Sequence, residues 1–532
     1  CCSSSMRLRY GLFLNSATII LNRIVLIRSL QNIPRQAMQL SSTESNYVDI
    51  LDNLYKNPAR NIFSAHVTGG GVHLMQWLFV VPGASRCLME ANIPYSPIAL
   101  EKQLATRFDS STSNRQYCSA ETALEMADKG RSHTASLFLS NSRNFPDAAT
   151  SNIFSLSCTA ALASSQPKKG AHRCHTAVST CRGFKVYSVE LEKGRLSRAE
   201  EDLLCSRICI EAIREAAVVE IPEEKRKESI LFKKFDVESI EGLESVNIYE
   251  IPRSNVFEQI YSKKTKHAIF IPNNNYKTSS SIYDISKSSI SNSEPMISLY
   301  NSHSYYEDVV LPNGCVIYPG SFNPLHEGHV ALVMATLSKL GTDNKKTPVV
   351  FEISAINADK PPLNQDQLIE RIQQFTSNNP LLTTVGLTNI AVSISTEPLF
   401  VGKSHLFCNT HFIIGTDTMT RLLNPKYYGN SKLEMVAALS KIEERGVSFI
   451  VGGRVTAITK TEVPVNTDKD SSLPVPPSPP SVLSQFVTVQ DILQDECNRD
   501  LPQMIMNMFT GLEEEDFRVD LSSTEIRNRA KI

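Results

Sequence analysis

Two histidines, His326 and His329, stand just past a short apolar run and a glycine turn in Val316 to Leu337 (VIYPGSFNPLHEGHVALVMATL). The run Cys315 to Tyr318 suits a buried strand, Pro319-Gly320 breaks it, and Val330, Val333 and Leu337 fall at helical spacing. The segment therefore predicts a strand–loop–helix unit, the first step of a doubly wound α/β fold. Gly320 has no Cβ, so the loop backbone can approach a phosphate closely. The start of the following helix offers unpaired N–H groups and the positive end of its dipole. His326 and His329 share one face of that first turn, with Gly328 between them. Two imidazoles placed there can donate hydrogen bonds to phosphate oxygens as negative charge grows during transfer.

A second anion site is expected near the C-terminus. Ser522, Ser523 and Thr524 are good N-cap residues, and Arg527 lies one turn further on, able to point at the same anion. Ser522 and Glu525 also make a plain capping box, a purely structural alternative. Catalysis requires this motif to sit beside the histidine helix, so one domain must run through the low-complexity stretch Pro474 to Pro480. That stretch is then a loop inserted near 455–500, which closure entropy tolerates.

Gly320-Ser321-Phe322-Asn323-Pro324 followed by His326-Glu327-Gly328-His329 resembles the signature of the HxGH nucleotidyltransferase superfamily. Within it, the segment is similar to the nicotinamide-mononucleotide adenylyltransferases. The likeness continues in order. Phe351 to Leu363 (FEISAINADKPPL) resembles the family's second strand and basic loop, and Phe412 to Tyr428 (FIIGTDTMTRLLNPKYY) its Gly-x-Asp strand end. Val519 to Arg527 (VDLSSTEIR) resembles its terminal Ser-Ser-Thr-x-x-Arg phosphate motif.

The resemblance implies His326, His329 and Arg527 as catalytic residues, and Gly320, Ser321, Phe322, Asn323, Ser522, Ser523 and Thr524 as substrate-binding ones. Lys360 would reach a phosphate from the second strand's loop, and Asn357 would lie at that strand's end. Gly415 and Asp417 would line the mononucleotide pocket, with an N-cap role for Asp417 as the alternative. The implied substrates are ATP, accompanied by Mg²⁺, and nicotinamide mononucleotide, and the implied products are NAD and pyrophosphate. No metal site made of protein ligands is expected. A cytidylyltransferase, a phosphopantetheine adenylyltransferase, or a catalytically weak scaffold or sensor of the NAD pathway are the competing expectations.

Further upstream, Val67-Thr68-Gly69-Gly70-Gly71, Val80-Val81-Pro82-Gly83-Ala84-Ser85 and Pro94-Tyr95-Ser96 resemble the CinA C-terminal domain, whose bacterial members deamidate nicotinamide mononucleotide. Cys158-Thr159-Ala160-Ala161-Leu162 and Gly170-Ala171-His172-Arg173 fall where that family has a glycine loop and its following strand. The chain departs from the family where it matters: His66 occupies the position of the nucleophilic serine, Ala65 that of the glutamate, and the lysine is displaced to Lys102. Without a serine hydroxyl there, covalent amide hydrolysis is not expected. His66 is left as a candidate base, and the domain as one that binds a nucleotide or builds a homo-oligomer.

These elements divide a chain of 532 residues into a basic tail (1–46), a CinA-like α/β domain (47–220), a linker with the Ser-rich Lys277 to Glu294 (221–310) and a Rossmann-like nucleotidyltransferase domain (311–532). In the second of these, Leu203 to Glu220 predicts a helix with Leu203, Ile210, Ile213 and Ala217 on one face. Hydrophobic residues at 41%, charged residues at 20% and a net charge of −1 fit a folded protein without a nucleic-acid partner. The cysteines show no recurring pair spacing and read as reduced thiols, and His172-Arg173-Cys174-His175 is a poor metal framework. The tail carries Arg7, Arg9, Arg23, Arg28 and Arg35 with no acidic residue before Glu44, so it reads as transit-peptide-like or as a plain tail. Asn22 and Arg23 interrupt its apolar run, so no membrane span is expected. The expected compartment is cytoplasmic or mitochondrial.

Overall fold

A computed structural model describes residues 42–57, 60–104, 116–166, 169–217, 243–273, 294–356, 361–459 and 482–518. The basic tail up to residue 41, the Ser-rich and Pro-rich stretches, and Asn357, Lys360, Ser522, Ser523, Thr524 and Arg527 lie outside the described residues.

The first sheet is built from β1 (Asn61–Thr68), β2 (Leu88–Asn92), β3 (Asn152–Ala161), β4 (His172–Ser179), β5 (Gly183–Leu191) and β6 (Leu243–Pro252), in the order β2-β1-β3-β4-β5-β6. The strands β2, β1 and β3 run parallel, and β4 to β6 continue antiparallel. Every residue of β1 is buried, as expected of a parallel strand covered on both faces. The cover comes from α1 (Ser42–Lys56), α2 (His73–Val80), α3 (Pro97–Leu104), α4 (Ala120–Ser142), α5 (Phe145–Thr150) and α6 (Arg198–Ala216). A capping box between Ser197 and Glu200 starts α6, the helix expected from the run at Leu203.

The second unit opens with α7 (Val256–Tyr261), β7 (His267–Pro272), α8 (Glu294–Ser302), β8 (His303–Glu307), β9 (Val316–Pro319) and α9 (Glu327–Lys339). It continues through β10 (Val349–Ser354), α10 (Gln365–Ile372), α11 (Pro380–Thr383), β11 (Ile390–Ser395), α12 (Phe400–Leu406), β12 (His411–Gly415) and α13 (Thr416–Leu422). Next come α14 (Lys432–Glu443), β13 (Ser448–Gly452) and the hairpin strands β14 (Arg454–Thr459) and β15 (Val482–Val487). It ends with α15 (Val489–Leu493), α16 (Gln503–Met506) and β16 (Phe509–Leu512). The sheet order is β16-β13-β12-β9-β10-β11-β7-β8. Its six strands from β16 to β11 are parallel, and the order reverses between β9 and β12. This is the expected doubly wound sheet, with its switch point beside the strand that precedes the histidine helix.

Two boundaries differ from expectation. The stretch 221–310, expected to be a linker, supplies β6 to the first sheet and the antiparallel pair β7 and β8 to the edge of the second. The apolar HAIFIP of β7 is buried along its whole length, because it covers the open edge of β11. The insertion expected near 455–500 is narrower. Its ends pair as the hairpin β14–β15, whereas Val489, Ile492, Leu493 and Leu501 belong to the core.

The two sheets share a core. Ala135, Phe138 and Leu139 of α4 and Phe145 and Ala148 of α5 pack in one cluster with Ile269, Ile271, Tyr306, Ile317 and Ala391. Tyr306 Oη donates to the Ala148 carbonyl at 2.8 Å, and the Phe145 N–H to Asn389 Oδ1 at 2.9 Å. The chain crosses between sheets at Arg253, a buried guanidinium paired with Asp128 of α4 and Glu307 of β8. No helix of the described residues is long and apolar enough to cross a membrane.

Candidate active site

The loop after β9 is held by its neighbours before any ligand is considered. The Gly320 N–H donates to the Glu352 carbonyl at 2.9 Å. A Cβ built on Gly320 would stand 2.5 Å from the Phe322 ring. The glycine therefore first makes room for an aromatic ring, a nearer cause than the phosphate approach expected from sequence. Phe322 has φ of +42°, a left-handed conformation costly for a bulky residue. Burial of its ring offsets that cost: it meets Tyr318, Phe351, Phe375 and His329 edge-on. Gln374 straps the same loop, donating to the Phe322 carbonyl at 2.9 Å and accepting from the Leu325 N–H at 2.7 Å. The Phe322 side chain is thus a buried support for the loop. Ser321 and Asn323 on either side are exposed.

His326 is the N-cap residue of α9, and its backbone N–H donates to His329 Nδ1 at 3.2 Å. The two rings stack with centroids 3.7 Å apart. Burial holds His326 below the ordinary histidine range, and burial together with the neighbouring ring lowers His329 to about 3. Both are therefore neutral at pH 7. Because His329 Nδ1 accepts, its proton sits on Nε2, which makes Nε2–H the donor available to an incoming oxygen.

Across the switch point, β12 aligns His411 with Val316 and Phe412 with Ile317, so Gly415 and Gly320 leave the sheet at matching levels. Gly415 is the N-cap of α13 and has open space where a Cβ would be. Asp417 is not the N-cap of that helix. It lies inside the first turn and pairs with Arg454 at the start of the hairpin, the two side chains being 62% and 58% exposed. Gly320, Ser321, Asn323, His326, His329, Gly415 and Asp417 thus gather at the carboxyl ends of β9 and β12, where open α/β sheets take ligands.

Residues 317–529 match the Cytidylyltransferase-like family. The matched range runs from β9 through the hairpin to the terminal motif, and it supports a nucleotidyltransferase-type reading of this part of the chain. No curated protein matches the chain. Solved structures similar to its N-terminal part are CinA proteins. The competence/damage-inducible protein CihA from Agrobacterium tumefaciens is 19% identical, covering 32% of this chain and 95% of its own, with a TM-score of 0.25. A CinA-superfamily protein from Escherichia coli is 12% identical, covering 34% of this chain and 94% of its own, also with a TM-score of 0.25.

In the cytidylyltransferase-like unit, sequence reasoning missed Gln374, Arg454 and the buried pair Glu352 and Lys403. Only Glu352 left a trace, as a charge inside the apolar strand FEIS. Among the described residues, no group of three or more His, Cys, Asp or Glu is arranged to hold a metal ion. On β4, strand alternation sends His172 and Cys174 to one face and Arg173 and His175 to the other, and His172 Nδ1 pairs with Glu201 at 2.6 Å.

The first sheet holds His66 in a closed polar network. Ser64 Oγ lies 2.9 Å from His66 Nε2, and Asn92 Oδ1 lies 2.8 Å from Nδ1. Hydroxyls of Ser155 and Thr134 close around Ser64 at 2.9 and 2.7 Å. Burial lowers the His66 pKa, and the ring is 1% exposed. His66 is a satisfied interior histidine and not a base facing solvent. Lys102 is exposed, while its neighbour Gln103 reaches His66 at 2.8 Å. The glycine turn has its own anion: the carboxylate of Asp202 accepts the N–H groups of Gly71, Val72 and His73 at 2.9, 3.1 and 3.3 Å. A protein carboxylate thus occupies the helix start that a phosphate would otherwise use.

Proposed function

We propose that the C-terminal half transfers the adenylyl group of ATP to nicotinamide mononucleotide, forming NAD and pyrophosphate. The observation that carries this reading is the stacked, neutral His326–His329 pair at the start of α9, set at the switch point of a doubly wound sheet. A phosphate oxygen of the mononucleotide attacks the α-phosphorus, the bond to the bridging oxygen breaks, and pyrophosphate leaves with that electron pair. No protein nucleophile or strong base is required, since the attacking phosphate is already ionised. The protein contributes position and hydrogen bonds to the oxygens on which charge develops. His329 Nε2–H is one such donor, and the orphan N–H groups of the first turn of α9 are others. Mg²⁺ enters as part of the Mg·ATP substrate. Lys360 and Arg527 are proposed to reach the triphosphate from their own loops.

The test is to incubate the full chain with Mg·ATP and, separately, nicotinamide mononucleotide and phosphopantetheine, and with CTP and phosphorylated alcohols, weighing the products. A mass equal to NAD is expected. Product from only one of the other pairs reassigns the acceptor. Nucleotide binding without any product favours the scaffold or sensor reading.

A further inference from the structure

Buried charge lies beneath the phosphate loop, on the face of β10 opposite Phe351. Glu352 is fully buried, Lys403 is 4% exposed, and their side chains form an ion pair. Ser395 Oγ donates to Glu352 Oε1 at 2.7 Å, Ser354 Oγ donates to the same atom at 3.1 Å, and Lys403 Nζ donates to Ser354 Oγ at 2.6 Å. The clasp joins β10, β11 and α12. Its approach is fixed from behind. Gly402 has no Cβ where the Glu397 carboxylate lies, the built atom falling 2.0 Å from Oε2. Arg445 Nη1 donates to the Val401 carbonyl at 3.0 Å and to Ser404 Oγ at 2.7 Å.

Packing alone does not call for an ion pair here, because an apolar pair of similar volume holds such a site as well or better. What distinguishes the position is the backbone it controls. The Glu352 carbonyl accepts the Gly320 N–H at 2.9 Å, and the adjacent Phe351 ring meets the Phe322 ring at 5.3 Å. Two consecutive residues of β10 therefore hold the loop, Glu352 by its backbone carbonyl and Phe351 by its ring. A fully satisfied buried polar network is stiff, and stiffness is what a phosphate-positioning loop needs.

We propose that Glu352 and Lys403 are positioning residues for nucleotide binding: their clasp fixes the tip of β10 and through it the loop from Gly320 to His326. The proposal rests on the reading that this loop holds the triphosphate. Lys403→Met alone would leave a carboxylate buried without its cation, so the informative variant of the full chain is the double, E352L/K403M. Its expected behaviour is a melting temperature close to that of the wild type, with a Kd for Mg·ATP, by calorimetry, raised about tenfold, less than the roughly hundredfold that a 1 Å misplacement can cost in rate. Lys403→Arg, which keeps the cation, is expected to retain most of the affinity. A double variant that binds Mg·ATP like the wild type overturns the proposal, and so does one that loses stability with no change in affinity. If the wild type binds Mg·ATP yet makes no dinucleotide, the proposed reaction fails while the affinity comparison still decides the clasp. A wild type that does not bind Mg·ATP sinks both.

Discussion

At the scale of single residues, His329 does two things that can be separated. Its Nδ1 closes the first turn of α9 by accepting the His326 N–H, which leaves its Nε2–H as the donor proposed for a phosphate oxygen. Glutamine at the third helical position can also accept from the N-cap N–H. His329→Gln is therefore expected to keep the melting temperature within a few degrees while lowering kcat about a hundredfold, the usual scale for losing one donor to a developing charge. A large stability loss with proportionate activity would make His329 a cap and nothing more. The same residue gives a pH signature. The folded pKa of about 3 lies below the ordinary histidine value of 6.5. Well above pH 6.5 the ring is neutral in both folded and unfolded chains, so its contribution to stability is fully present. As pH falls toward 3 the unfolded chain takes up a proton that the folded one refuses, and stability declines by up to about 1.4 kcal/mol per unit of pH. Urea unfolding at pH 7.5, 6 and 5 is expected to show a smaller decline for His329→Gln than for the wild type. Equal slopes would mean that His329 titrates normally.

At the scale of elements, β9, its loop and α9 were legible because their signals are local: an apolar run, a glycine break, then Val330, Val333 and Leu337 on one helical face, all three buried. The doubly wound class was expected from that one unit and the resemblance that continues along the chain, whereas the strand order itself was not legible. What escaped the sequence depends on partners far away in it. HAIFIP of β7 is a good strand signal, but next to the Ser-rich stretch it reads as part of a linker until β11 offers it an edge. The five-residue α15 is too short for periodicity to show, which pushed the end of the insertion too far. Asp417 could be a cap or a ligand by sequence; the helix takes Gly415 as its N-cap, which removes the cap option, and the Asp417 carboxylate pairs with Arg454. The Gly320 loop shows the difference in kind: the glycine was legible, its reason was not. With the Phe322 ring 2.5 Å from a built Cβ, Gly320→Ala must displace that ring or the loop. Overpacking of this sort costs about 1–3 kcal/mol. A lower melting temperature together with weaker Mg·ATP binding is therefore expected. Weaker binding at unchanged stability would return the glycine to its simpler role of letting a phosphate approach.

At the scale of the whole molecule, the N-terminal part supplies cover to the second sheet. A doubly wound sheet needs cover on both faces. Here the face bearing Ile269, Ile271, Tyr306 and Ala391 is covered by Phe138 and Leu139 of α4 and by Phe145 and Ala148 of α5. Two buried guanidinium groups seal the junction: Arg131 Nη2 donates to the Tyr305 carbonyl at 3.3 Å, and Arg253 pairs with Asp128 and Glu307. A fragment beginning at Arg253 would expose that apolar face and leave Arg253 without its Asp128 partner. It is expected to bind a hydrophobic dye and to lack a cooperative thermal transition. The sharper test keeps the chain whole. Tyr306 is buried and bonds the Ala148 carbonyl, so Tyr306→Ala removes both ring packing and a hydrogen bond at the seam. Aromatic truncations in a core cost about 3–5 kcal/mol. If the two sheets unfold as one body, calorimetry shows a single transition that moves down as a unit, and Mg·ATP raises the melting of the entire chain. Two transitions, with only one of them displaced by the substitution or by the nucleotide, would mean that the shared core does not couple the two sheets, and the N-terminal part would then need a role of its own to account for its place in the chain.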